Sequence, residues 1–134
     1  MNVRRLMLAI PSLLATGSFA IYAETGLQRG EYLVNEVAKC GDCHTPKLDG
    51  TSDRTRWLQG AKIDFPPNCE ISAWAKFAPA ITSELFKHWK EADLKRFLET
   101  GLRPNGKTAH PPMPAYKLRP DDADAMVQYL KSLK

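Results

Sequence analysis

The chain holds 134 residues, 43% hydrophobic and 25% charged, with a formal net charge of +4. That length is one domain's worth, and that composition is globular, which excludes a collagen, a disordered tail and a multi-span membrane protein. Charges of both signs are interspersed, with no run of five alike, so the basic excess is weak support for nucleic-acid binding.

In chain order the first feature is an export signal. Arg4 and Arg5 precede an apolar stretch from Leu6 to Ala15, broken by Pro11 and followed by Ser18-Phe19-Ala20. A basic start, a short apolar run and a small-x-small site are the three parts of a secretory signal peptide. The run is too short to span a bilayer, which takes about 20 residues. The expectation is a signal peptide over residues 1–20, cut after Ala20 or alternatively after Ala23, and one domain over 21–134. Either cut takes away Arg4 and Arg5 and lowers the net charge from +4 to +2. In an exported chain the odd count of three cysteines, Cys40, Cys43 and Cys69, calls for an explanation.

Residues 27–39 predict a first helix. Leu33, Val34, Val37 and Ala38 follow helical 3-4 spacing, and Gly30 and Tyr32 are expected on or near the buried face. Cys40-Gly41-Asp42-Cys43-His44 comes next, a C-x-x-C-H pentapeptide. Residues 45–80, with Pro46, Pro66, Pro67 and Pro79 and glycines at 50 and 60, predict a long loop with short helical turns. A loop that long is unusual in a small domain unless it wraps something. Glu91 to Thr100 reads as a helix striped by Leu94, Phe97 and Leu98, with Gly101 in the C′ position. After the proline-rich segment His110-Pro111-Pro112-Met113-Pro114, Pro120 opens a last helix whose first turn holds Asp121 and Asp122. Met126, Tyr129, Leu130 and Leu133 form its apolar stripe. The pattern is all-α.

C-x-x-C-H is the attachment signature of c-type haem. Two thiols add across neighbouring vinyl groups, and the residue after the second cysteine projects under the iron as the proximal nitrogen ligand, here His44. Other chemistries share parts of the pattern. A thioredoxin-like site uses C-x-x-C, but after a strand, and the residues before Cys40 read as helix. Zinc could draw on Cys40, Cys43, Cys69 and His44 or His88, although adjacent Cys43 and His44 make one tetrahedral centre awkward. A Cys40–Cys43 disulfide is the plainest alternative. For a second iron ligand, Met113 stands in a loop walled by prolines, which can hold a weak thioether at fixed reach, whereas Met126 reads as core. His110 competes from the same loop, and His88 reads as a surface residue. Arg54, Arg56 and Trp57 are candidate contacts for the haem propionates, weighed evenly against a solvated loop with Trp57 as core. Trp74 and Trp89 read as packing, and Cys69 as a buried thiol, with pairing to another chain as the alternative.

Several stretches in this order resemble a class I cytochrome c: Arg29-Gly30-Glu31-Tyr32-Leu33, Cys40 to Pro46, Pro112-Met113-Pro114 and Met126-Val127-Gln128-Tyr129-Leu130. Phe97 to Gly106 is similar to the small cytochrome subunits and domains of bacterial periplasmic dehydrogenases, such as those for alcohols, gluconate or nicotinate. The resemblance covers residues 27 to 133. It implies first and last helices that cross, with Gly30 meeting Tyr129, and long loops around one covalent haem c. It further implies a periplasmic electron carrier, not an enzyme, that cycles Fe(III)/Fe(II) between His44 and Met113. A dehydrogenase is the implied donor, and an oxidase or another cytochrome the acceptor. Ala80-Ile81-Thr82 stands where the family often has Asn-Ile-Thr, and Ser83 to His88 replaces a glycine-rich turn. A haem peroxidase would need an open distal position and acid–base groups, and a gas-binding sensor would need the methionine bond to break.

Overall fold

The computed structural model describes residues 24–71 and 73–134; the expected signal peptide and both of its cutting points lie outside the described residues. The first helix, α1 (Gly26–Tyr32), starts with a reciprocal cap. Thr25 Oγ1 accepts from the Gln28 N–H, and Gln28 Oε1 accepts from the Thr25 N–H at 3.1 Å. The chain then widens into a π-helical turn, Leu33–Val37, closed by Ala38 N–H donating to the Leu33 carbonyl at 2.8 Å.

That turn corrects the expected face of the first helix. Gly30, Leu33 and Val34 are buried, but Tyr32 and Val37 are exposed, Val37 by 55%. Tyr32 lies two residues from Gly30, about 200° around the helix. Val37 would share the buried face in a continuous α-helix, but i→i+5 bonding inserts one residue into the turn. The following side chain, Ala38, takes the inward place and packs against the core.

After Lys39, which adopts left-handed φ of 51°, comes α2 (Gly41–His44). The predicted long loop contains two minimal antiparallel ladders. β1 (Lys47–Leu48) pairs with β2 (Thr51–Ser52), and β3 (Ala61–Lys62) with β4 (Phe77–Ala78). Single 3-10 turns stand at Arg54–Arg56 and Ser83–Lys87. The second occupies the segment expected to differ from the glycine-rich turn, and Thr82 Oγ1 accepts from the Glu84 N–H at its start. Among the described residues the architecture is thus helical, with four two-residue strands confined to loops.

The predicted bounds of α3 (Glu91–Thr100) hold. Leu94, Phe97 and Leu98 are buried, and Gly101 ends the helix at φ 75°. Pro120 stands at the first turn of α4 (Pro120–Ser132) with Asp121 and Asp122 behind it. Met126, Tyr129 and Leu130 are buried, Met126 to 1% exposure, and Leu133 packs at the edge.

α1 crosses α4 so closely that a Cβ built on Gly30 would lie 2.0 Å from the Ala125 carbonyl oxygen and 2.8 Å from Tyr129 Cβ. Only glycine permits this approach, as the resemblance implied for Gly30 and Tyr129. Arg29 Nε reaches Asp122 at 2.9 Å across the same crossing. Leu33, Val34, the α3 stripe and the inner face of α4 make one core, and Cys40 and Leu58 join it from the loops.

Candidate functional site

Cys40 and Cys43 are one turn apart at α2. His44 N–H donates to the Cys40 carbonyl at 2.9 Å, so both thiols and the imidazole issue from a single turn of backbone. Burial pushes the Cys40 thiol up to about 11 and raises Cys43 as well, which keeps both sulfurs protonated at neutral pH.

His44 is 7% exposed, and its Nδ1–H donates to the Pro79 carbonyl at 2.7 Å. Burial lowers its pKa against the opposing pull of that carbonyl, so the ring is a neutral imidazole whose lone pair sits on Nε2. A backbone carbonyl fixing the far nitrogen in this way is the usual support of a metal-bound histidine. Further bonds hold the same turn. Gly60 N–H donates to the His44 carbonyl at 2.7 Å, and the fully buried Thr45 accepts the Leu58 N–H on its Oγ1 at 3.0 Å.

This donor set fits haem c: two neutral thiols and one oriented imidazole on one turn. Beside Cys43 an open groove of about 300 Å³ is lined by Pro46, Ala61, Ile63 and Phe65 together with the charged Asp42, Lys47, Arg56, Lys62 and Asp64. The described residues hold no cluster of three or more histidine, cysteine or acidic side chains able to bind a metal ion.

The other expected site residues fall as follows. Met113 is half-buried and packs against the core, whereas His110, whose carbonyl accepts the Met113 N–H at 3.2 Å, is exposed. The Met113 loop reaches the attachment turn through Tyr116, whose hydroxyl donates to the Ala38 carbonyl at 3.0 Å. Burial near both thiols pushes the Tyr116 phenol up to about 12, so it stays a donor.

Trp57 packs closely against Gly41 of α2. A Cβ on Gly41 would meet its ring at 2.0 Å. Arg54 stacks over that ring, 4.1 Å from its centroid, and Arg56 pairs with Asp53 at 2.8 Å. Trp89 packs against Phe97, and Trp74 donates its indole N–H to the Phe65 carbonyl. His88 is exposed, as expected.

Cys69 is also exposed, which corrects its reading as a buried thiol. It follows Pro66-Pro67 in the loop joining β3 to β4, away from the helical core.

Sequence reasoning missed Pro79, Thr45, Tyr116 and the Trp57–Gly41 contact. A backbone carbonyl 35 residues from its histidine leaves no mark in a side-chain pattern. Tyr116 had one signal, its place three residues after Met113 in a stiff loop.

The model of the cytochrome c family matches residues 27–134. Among curated proteins, the fructose dehydrogenase cytochrome subunit of Gluconobacter japonicus is 34% identical over 114 residues, 78% of this chain and 21% of that protein. A diheme cytochrome c-type protein of Cereibacter sphaeroides is 32% identical over 133 residues, 95% of this chain and 40% of that protein. The cytochrome c subunit of the quinone alcohol dehydrogenase of Gluconobacter oxydans is 31% identical, over 78% of this chain and 23% of that subunit. The chain therefore spans between about a fifth and two fifths of the length of these relatives. No helix among the described residues is long and apolar enough to cross a membrane.

Proposed function

The chain belongs to the cytochrome c family, electron carriers with covalently bound haem c, and on that premise we propose that it is a periplasmic monohaem cytochrome passing single electrons from a dehydrogenase to an oxidase or another cytochrome. When bound, haem c supplies an iron that alternates between Fe(III) and Fe(II). In this reading Cys40 and Cys43 provide the two thioether links, and His44 presents Nε2 because Nδ1 is committed to the Pro79 carbonyl. Met113 presents its thioether from the proline-walled loop. A methionine ligand raises the potential relative to a second nitrogen, and keeping both ligands leaves no position for substrate. The chain acts as a carrier rather than an enzyme.

One haem in these 134 residues is our reading of the cysteine pattern, in which Cys40 and Cys43 are the one pair in a C-x-x-C-H. Arg54, Arg56 and Trp57, on the segment after the attachment turn, are the proposed propionate contacts, with Arg56 shared with Asp53. The donor rests on the relatives' names: cytochrome subunits of fructose and alcohol dehydrogenases.

The observation that carries the reading is the attachment turn itself, two thiols with a buried histidine oriented through Nδ1. The test is expression with a haem-maturation system. The pigment should resist acid–acetone extraction, and Cys40→Ala with Cys43→Ala should abolish that resistance, while Cys69→Ala leaves it intact. Met113→Ala should remove the red-end band of a methionine-bound ferric haem, lower the potential and open the reduced protein to carbon monoxide. Extractable haem in the unaltered protein would sink the reading, and a band that survives Met113→Ala would transfer the distal role to another residue.

A further inference from the structure

The Met113 loop, residues 109–118, is tied down at three places. Ala75 N–H donates to the Pro111 carbonyl at 2.6 Å, and Leu118 N–H donates to the Leu98 carbonyl at 3.0 Å. These fasten the loop's two ends to the β3–β4 connection and to α3. The third tie is the Tyr116 hydroxyl on the Ala38 carbonyl at 3.0 Å, and it alone of the three runs to the chain that leads into Cys40. Ala38 caps the π-helical turn. Carbonyls at a helix end lack an intrahelical donor, so this oxygen is available to a side chain. Met113 and Tyr116 pack on the same core, three residues apart.

We infer that Tyr116 is a positioning residue, a latch whose phenol closes the Met113 loop onto the carbonyl two residues ahead of the first attachment cysteine. The inference rests on the proposed role of Met113. A thioether is a weak ligand, so its hold on iron depends on how often the loop opens. The tyrosine ring supplies apolar packing that phenylalanine would equally supply. The hydroxyl adds the directional bond that ties the loop to the attachment turn. A lost hydrogen bond of this kind raises the open fraction by about tenfold.

The test compares Tyr116→Phe with the unaltered haem-loaded protein. Tyr116→Phe should keep the red-end ferric band at room temperature. It should lose that band at a lower temperature than before, while far-UV circular dichroism still reports folded helices. Carbon monoxide should bind its reduced form about tenfold faster, and amide exchange across 109–118 should accelerate by about the same factor. Tyr116→Leu, which also removes the ring, should exceed Tyr116→Phe in every readout. If Tyr116→Phe changes neither carbon monoxide binding nor exchange, the latch is refuted. If the unaltered protein has no methionine band, the role of Met113 fails by itself, and exchange across 109–118 still decides whether Tyr116 holds the loop.

Discussion

The three long helices and the connecting loops are held together by different forces. α1 with its π-helical turn, α3 and α4 bury apolar side chains against one another: Val34 and Ala123 are fully buried, Met126 and Val127 nearly so. Among residues 45–89 Leu58 is the one large apolar side chain so enclosed, while Leu48, Phe65, Ile71 and Phe77 are exposed. Trp57, Ile81, Leu85, Phe86 and Trp89 pack part-buried against the helical core, and polar bonds hold the chain around His44. The Gly60 N–H meets the His44 carbonyl, the Leu58 N–H meets Thr45 Oγ1, and the Ile81 N–H meets the Leu58 carbonyl at 2.9 Å. The helical half supplies a hydrophobic core. The loop half adds to its part-buried apolar contacts a set of hydrogen bonds converging on the histidine that would carry iron. A small domain can leave so much chain around so little core when a bound group fills the space and contributes its binding energy to folding.

The most damaging change to this division is removal of the covalent attachment. Protein carrying Cys40→Ala and Cys43→Ala, made without haem, should lose amide protection across 45–89 and 109–118 to near-unfolded rates. The α1–α4 crossing should keep the strongest protection that remains, and far-UV circular dichroism should show reduced helix. Hydrogen exchange read residue by residue checks this. Equal protection in both halves, or a fully cooperative native-like melt, would break the distinction.

Next in size is Gly30→Ala. The added methyl would overlap the Ala125 carbonyl, a backbone atom that cannot swing aside. The helices must separate, at a cost of about 3 kcal/mol. Guanidinium denaturation of the haem-loaded protein measures it. A change under about 0.5 kcal/mol, the range of ordinary surface substitutions, would show that the crossing has slack.

The two halves also differ in how far sequence periodicity exposes them. α3 is legible to the residue, and α4 at its start, because each is a continuous 3.6-period stripe with a recognisable start or stop, Gly101 for one and Pro120 for the other. α1 is legible only until the π-helical turn, where one inserted residue moves Val37 outward and Ala38 inward. Nothing in Leu33-Val34-Asn35-Glu36-Val37 signals the slip. At the site, the residues that would bond to haem lie in short contiguous motifs, so side-chain identity reveals them. The residues that orient them do not. Pro79 acts through its carbonyl, Trp57 through a ring packed against Gly41, and each depends on a fold that brings distant segments together. Cys69 was misread for a related reason: cysteine is usually buried, and here two prolines carry it onto an exposed loop.

Thr45→Val sharpens the loop side of the comparison. The substitution keeps the shape of a fully buried side chain and removes the acceptor for the Leu58 N–H. Leu58 holds a left-handed backbone at φ 58°, unfavourable for a leucine, so it depends on its partners. The orphaned donor should cost about 1–3 kcal/mol, and Thr45→Ser, which restores the hydroxyl, should recover most of it. Exchange should accelerate in residues 57–62 and 79–82 well before α1 and α4 respond. Equal losses for the valine and serine variants would assign the effect to packing instead of the hydrogen bond.

The smallest effect concerns acid. Asp53 accepts from the Thr55 hydroxyl at 2.6 Å, from the Thr55 N–H at 3.0 Å and from Arg56 Nε at 2.8 Å. These bonds, Thr55 first, bring its carboxyl down to about 2 from an ordinary 3.8. Between those values the unfolded chain binds a proton that the folded chain refuses, so stability rises with pH there. The contribution is complete above about pH 4 and is lost as pH falls through about 2. Asp53→Asn keeps an oxygen for Thr55 and removes the charge. Its denaturation midpoint should lie slightly below that of the unaltered protein at pH 7, and the gap should close between pH 4 and pH 2. Because the carboxylate sits on the turn after β2, outside the α1–α4 crossing, the change should appear in loop exchange and leave α4 protection untouched. A gap that stays constant across that window would mean that Asp53 holds the 3-10 turn by shape alone.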